Sequence, residues 1–164
     1  MSKRKKGQHR KRISKDVPHK MTLKSHADKL WSIAVRSDWN WRCAICGSTD
    51  CQAHHLITRR YQSTRYELRC GISLCPGCHT FDGTPGGKGR PSAHVNTHAF
   101  DQWMRDHHPD IIQWVHEHAG ERFDGTTNAD YYIETIKRLK EYVDEDAFVR
   151  IVGVKFSRWL EESE

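Results

Sequence analysis

The chain has 164 residues, 36% of them hydrophobic, with a mean hydropathy of -0.84 and a formal net charge of +6. That suffices for one modest domain with extensions; it excludes two large cores, and no apolar run is long enough for a membrane span. The charge is uneven, with a net of +8 over residues 1–20, +4 over 21–108 and -6 over 109–164, so the basic end points to a polyanion and the acidic end does not.

The basic N-terminus runs into polar residues rather than the apolar segment of a signal peptide, so a soluble, cytoplasmic protein is expected, with no membrane partner. Residues 1–22 form a basic tail with almost no apolar content, expected to be disordered when free. Lys3, Arg4, Lys5 and Lys6 within it suit nucleic-acid phosphate through counterion release, which adds affinity without sequence choice. A solvated tail that only aids solubility is the plainer alternative.

Ala27, Leu30, Trp31, Ile33 and Ala34 give an amphipathic helix over about 25–37, with Ser25 as N-cap and Asp28 in capping-box position. Trp39 and Trp41, read as packing residues, lead into Cys43-Ala44-Ile45-Cys46, which is matched later by Cys75-Pro76-Gly77-Cys78. Two such turns supply four soft ligands in the arrangement of a structural Zn2+ site, so Cys43, Cys46, Cys75 and Cys78 are the candidate ligands. A redox Cys-x-x-Cys is the alternative, but no βαβ pattern surrounds either pair. Reduced thiols are the rule in a cytoplasmic protein, and Cys51 and Cys70 are expected to be free.

Between the cysteine pairs, residues 51–57 read as a short strand carrying His54 and His55. Successive strand side chains point to opposite faces, so the two histidines should serve different purposes. The loop that follows interleaves Arg59, Arg60, Arg65 and Arg69 with Tyr61 and Tyr66, residue types suited to phosphate and to sugar or base, although a solvated loop would read the same. Gly71 to Leu74 is a second strand, and His79 follows Cys78 directly. The stretch from Asp82 to Pro91, with four glycines and two prolines, breaks any helix and is expected to be a flexible loop. Helical patterns resume over 92–107, where His94 and His98 would share a face, and over 111–119 with Asp110 as cap and Gly120 as stop. Residues 128–143 and 146–160 read as two further helices, which Asp144-Glu145-Asp146 could also leave continuous; packing within the chain is expected of their apolar stripes.

The order strand, arginine loop, strand, zinc turn and helix, with paired histidines and the Cys78-His79 junction, resembles the HNH nucleases. The likeness is greatest to the small zinc-bearing type of tailed bacteriophages and prophages, and it covers about residues 27–104. It implies an α+β fold: a small zinc-stapled ββα-metal finger with flanking helices (23–108), followed by an acidic helical C-terminal extension (109–164). It implies a DNA endonuclease that nicks or cuts with one divalent catalytic ion (Mg2+, Mn2+ or another first-row ion). Carried over by position, His54 and His79 become ligands of that ion and His55 the general base. His94 is the nearest match for the third ligand, with His98 as its rival. In phage relatives such proteins work beside a terminase in genome packaging.

One position departs from the family. Cys70 stands where the pattern has its middle Asn, and a thiol is a weaker donor and acceptor than an amide. That keeps a second reading open, a catalytically weak or inactive zinc-knuckle nucleic-acid-binding module, beside a third, an interaction protein acting through its acidic helices. The residues do not distinguish DNA from RNA. A histidine base works only when neutral, so activity is expected to rise as pH passes about 6.5.

Overall fold

In the computed structural model the described residues are 15–81 and 91–163. Lys3, Arg4, Lys5 and Lys6, and the glycine-rich stretch up to Arg90, lie outside them. Helix α1 (Lys20–Asp38) buries Leu23, Ala27, Leu30, Trp31, Ala34 and Val35, the three- and four-residue recurrence of one apolar stripe. It begins more than a turn before the expected Ser25 cap because Leu23 extends that stripe. The cap is His19, whose Nδ1 accepts from the Met21 amide at 3.3 Å. Asp28 is therefore mid-helix, and its carboxylate is taken by Arg65 instead of a helix end. Past Trp39 the helix is stopped by left-handed φ values of 53° at Asn40 and 56° at Trp41, which turn the chain into the first cysteine pair.

Strands β1 (Gln52–His55) and β2 (Gly71–Leu74) pair antiparallel, with His54 opposite Ile72 and His55 opposite Gly71. A 3-10 turn, Leu68–Cys70, precedes β2. Gly71 is required by close approach: a Cβ there would collide with Val35 and Trp31, so its absence lets β2 lie flat on α1. One turn of helix, α2 (Pro76–His79), starts at a proline whose missing N–H costs nothing at that position, and it carries Cys78 and His79.

Helix α3 (Thr97–His107) starts later than the pattern over 92–107 suggested. Asn96 caps it by accepting from the Ala99 amide at 3.4 Å, which leaves His94 outside any helix. Helix α4 (Pro109–His118) opens on its proline, with Asp110 in the first turn rather than at the cap. Helices α5 (Ala129–Lys140), α6 (Glu145–Val152) and α7 (Val154–Glu161) follow. Asp144 caps α6 by accepting from the Ala147 amide at 2.8 Å, so the acidic tripeptide separates two helices. Gly153, at φ 85°, divides the expected 146–160 helix in two.

Among the described residues two apolar cores result, in an α+β arrangement with four cysteines gathered close together. The larger core joins the α1 stripe to Tyr66 and to Tyr132, Ile133, Ile136, Leu139, Phe148, Val152, Phe156 and Leu160 of α5–α7. The smaller joins Ile72, Leu74, Phe100 and Met104 to Cys43, Cys75 and Cys78. Trp39 packs on both, and its indole Nε1 donates to the Gly71 carbonyl at 3.3 Å. Among the described residues no helix is long and apolar enough to cross a membrane.

Candidate metal centres and their flanking base

The sulfurs of Cys43, Cys46, Cys75 and Cys78 all lie within 4.8 Å of one another, with every member buried except Cys46. Sulfurs bound at about 2.3 Å around one tetrahedral ion stand roughly 3.8 Å apart; the Cys46 and Cys75 sulfurs are separated by 3.6 Å. The donor set therefore fits zinc. Its electrostatics fit too: burial, then the neighbouring sulfurs, push the Cys78 thiol well up, whereas at Cys43 backbone amides of Cys75, Cys46 and Ile45 outweigh burial and bring the thiol down. Thiols that hinder one another's ionisation are relieved by a shared cation. All six cysteines are free of disulfides, Cys51 and Cys70 among them.

A second cluster joins His54, His79 and His94, one nitrogen of each again within 4.8 Å of the others. His54 comes from β1, His79 from the last residue of α2, and His94 from the segment before α3. That segment is laid against the cysteine turn by two backbone bonds, Ala93 N–H to the Cys78 carbonyl at 3.0 Å and His94 N–H to the His79 carbonyl at 3.1 Å. His98, the rival of His94, is not in the cluster. The His79 Nε2 and His54 Nδ1 atoms face each other at 3.0 Å. Imidazole nitrogens bound at about 2.0–2.1 Å to a tetrahedral ion stand roughly 3.4 Å apart, so the pair is poised as ligands. The tautomer of His79 is set from behind, because its Nδ1–H donates to Gln52 Oε1 at 3.1 Å and turns the Nε2 lone pair inward. Burial, then His79, His94 and His55, pushes His54 down to about 3, and burial followed by His94 lowers His79. Both rings are thus neutral, the form that binds metal, at ordinary pH.

The alternation of β1 carries His55 to the opposite face, against α1. Its ring lies flat on Trp31, with centroids 3.7 Å apart and planes 14° from parallel. Its Nε2–H donates to the Arg65 carbonyl at 3.0 Å, which leaves the lone pair on Nδ1. Burial pushes His55 down to about 4, against the upward pull of that carbonyl.

The chain matches no family model, no curated protein and no solved structure.

The remaining predicted site residues divide. Arg59, Arg60 and Arg69 are exposed, and Arg60 lies over the Tyr61 ring at 5.2 Å. Arg65, expected on phosphate, is instead 7% exposed: its guanidinium meets both carboxylate oxygens of Asp28, at 2.8 and 2.9 Å, and the Arg59 carbonyl at 2.6 Å. Cys70 is buried, its sulfur 3.4 Å from the Ile57 amide that donates to it, so it ties the start of the arginine loop to its end. Gln52, Trp31 and Asp28 were not identified as site residues from the sequence, and Tyr66, expected on sugar or base, is instead buried with its hydroxyl donating to Asp28 at 2.9 Å. Strand alternation could have flagged Gln52, two positions before His54; Trp31 and Asp28 act across the fold and leave no local signal.

Proposed function

We propose that this chain is a metal-dependent HNH endonuclease that hydrolyses DNA phosphodiester bonds, built on a zinc-stapled ββα-metal finger. The observation that carries this reading is the division of β1: His54 joins a three-nitrogen cluster with His79 and His94 on one face, and His55 presents a neutral Nδ1 from the other. A four-cysteine site leaves no open position for substrate, so a second, histidine-only cluster beside it argues for chemistry rather than stapling.

His54, His79 and His94 would hold the catalytic ion, and a divalent ion there supplies Lewis-acid stabilisation of the charge that develops on a phosphodiester. His55 takes a proton at Nδ1 from the attacking water, while Trp31 and the Arg65 carbonyl hold its ring. In-line attack at phosphorus then breaks the bond to the 3' oxygen, which takes a proton from solvent and leaves as a 3' hydroxyl, with a 5' phosphate on the other product. The exposure of Arg59, Arg60 and Arg69 supports a role for them on flanking phosphates. Because His55 is lowered to about 4, its neutral form persists well below pH 6.5. The acid limb of a rate profile due to this group is expected nearer pH 4 than the 6.5 of an unperturbed imidazole.

Cys70 favours the second reading, a nucleic-acid-binding module without catalysis. Supercoiled plasmid conversion with Mg2+ or Mn2+ against EDTA, with His55→Ala alongside and a single-stranded RNA as competing substrate, separates the two. Metal-dependent nicking lost in His55→Ala supports the nuclease; gel shifts by both proteins with no cleavage by either support the binding module.

A further inference from the structure

The carbonyl that holds His55 belongs to a loop, and loops are not rigid unless something makes them so. Three successive carbonyls there each have a donor from a different direction. Arg65 O receives His55 Nε2 at 3.0 Å, Tyr66 O receives Arg138 Nη2 at 3.2 Å, and Glu67 O receives Trp31 Nε1 at 3.1 Å. The Arg65 side chain meanwhile reaches α1. It grips Asp28 through Nε at 3.1 Å and Nη2 at 2.8 and 2.9 Å, while Tyr66 Oη donates to the same carboxylate at 2.9 Å. Its Nη1 closes the loop on itself at the Arg59 carbonyl, 2.6 Å away.

Asp28 and Trp31 are three residues apart on α1 and so share one face. That face supplies both the plane on which His55 lies and the anion that anchors the residue whose carbonyl orients it. A fork of this kind fixes direction as well as distance, which a lone sulfur at position 70 does not.

We propose that Asp28 is a positioning residue for His55: acting through the Arg65 fork, it fixes the Arg65 carbonyl so that the ring is held as a single Nε2–H tautomer with Nδ1 directed at substrate. The proposal rests on His55 being the base of the nuclease, and it assigns to an ion pair between α1 and the arginine loop the anchoring role that the Asn of similar proteins would have.

The test is a long-range 1H–15N correlation spectrum of the imidazole nitrogens of the full chain, with His55→Ala used for assignment, beside nicking kinetics and thermal melts. Wild type is expected to show His55 as one Nε2–H tautomer. In Asp28→Asn, which keeps the shape and removes the charge, the ring is expected to populate both tautomers and kcat to fall about tenfold to a hundredfold with KM little changed. Asp28→Glu is expected to restore the single tautomer and most of kcat. Should Asp28→Asn not fold, Arg65→Lys serves instead, since it keeps a cation but loses the fork, and the same mixing is expected. A folded variant with a lowered melting point, an unmoved ring spectrum and undiminished kcat would mean that the ion pair only stabilises, and would overturn the proposal. If wild type cuts no DNA while the tautomer still responds to Asp28, the nuclease reading fails and the positioning stands.

Discussion

The two halves of the molecule are held together by different means. Around α1 and α5–α7 the core is closed by hydrocarbon: Trp31, Phe148, Leu139 and Ile136 are at most 2% exposed. Around β2 and α3 the core is small, and three buried cysteines form one of its walls. Strand β1 lies across the boundary. His54 faces the sulfur-walled half and gathers ligands there, whereas His55 faces the hydrocarbon half and gains a stacking partner and a fixed tautomer. The histidine cluster therefore depends on the four-cysteine turns, and the orientation of His55 depends on α1.

Breaking the staple should have the largest effect. Structural zinc in small fingers contributes on the order of 10 kcal/mol of folding free energy, and Cys78 is wholly buried. Cys78→Ser, or a strong chelator, is expected to melt residues 43–79 and scatter the histidine cluster while the α1 and α5–α7 helices survive. Zinc content together with residue-resolved hydrogen exchange would show this; equal loss of protection in both halves would mean that they are not separable. Next comes His55→Ala, expected to fold, keep its zinc and cut about 10²- to 10⁴-fold more slowly. Plasmid nicking under single-turnover conditions measures that, and a rate within a few-fold of wild type would remove His55 from the mechanism.

Gln52→Leu cuts more finely, between the cysteine and histidine clusters. It removes the acceptor that sets the His79 tautomer, so affinity for the second ion is expected to fall about 10- to 100-fold with the cysteine site still loaded. Titration of Mn2+ into zinc-loaded protein, followed by paramagnetic resonance, reads this directly. An unchanged Mn2+ affinity would show that Gln52 is only a neighbour.

What was readable in the sequence follows the same boundary. The cysteine turns and the two faces of β1 are local features, fixed by a spacing of three and a period of two, and they fold as written. The choice of His94 over His98 was not readable, because it depends on Asn96 delaying α3 and on two backbone bonds to residues 78 and 79. Arg65 looked like its neighbours Arg59 and Arg60 because its partner, Asp28, is 37 positions away. Asp28 itself was absorbed into a capping box with Ser25, although Leu23 continues the apolar stripe of a helix that begins at Lys20.

The smallest expected effect concerns acid, and it tests the hydrocarbon half. His26, on α1, faces α7 with its ring 6.5 Å from that of Phe156, and its Nδ1 is buried without a hydrogen-bond partner. Burial, then the charge of Lys29, lowers its pKa below the ordinary 6.5. The unfolded chain therefore takes up a proton near pH 6.5 that the folded chain refuses, so this contribution to stability is complete above that value and is lost as pH falls through the folded pKa. His54 and His55, lowered to about 3 and about 4, extend the loss further into acid with the same sign. Urea unfolding at pH 7.5 and 5.5 should give a lower unfolding free energy in acid, by at most about 1.4 kcal/mol per pH unit for each proton. His26→Phe, which keeps the stacking and cannot titrate, should remove part of that slope while leaving Mn2+ affinity and nicking unchanged. A slope unaffected by His26→Phe would assign the acid sensitivity to other groups, His54 and His55 among them.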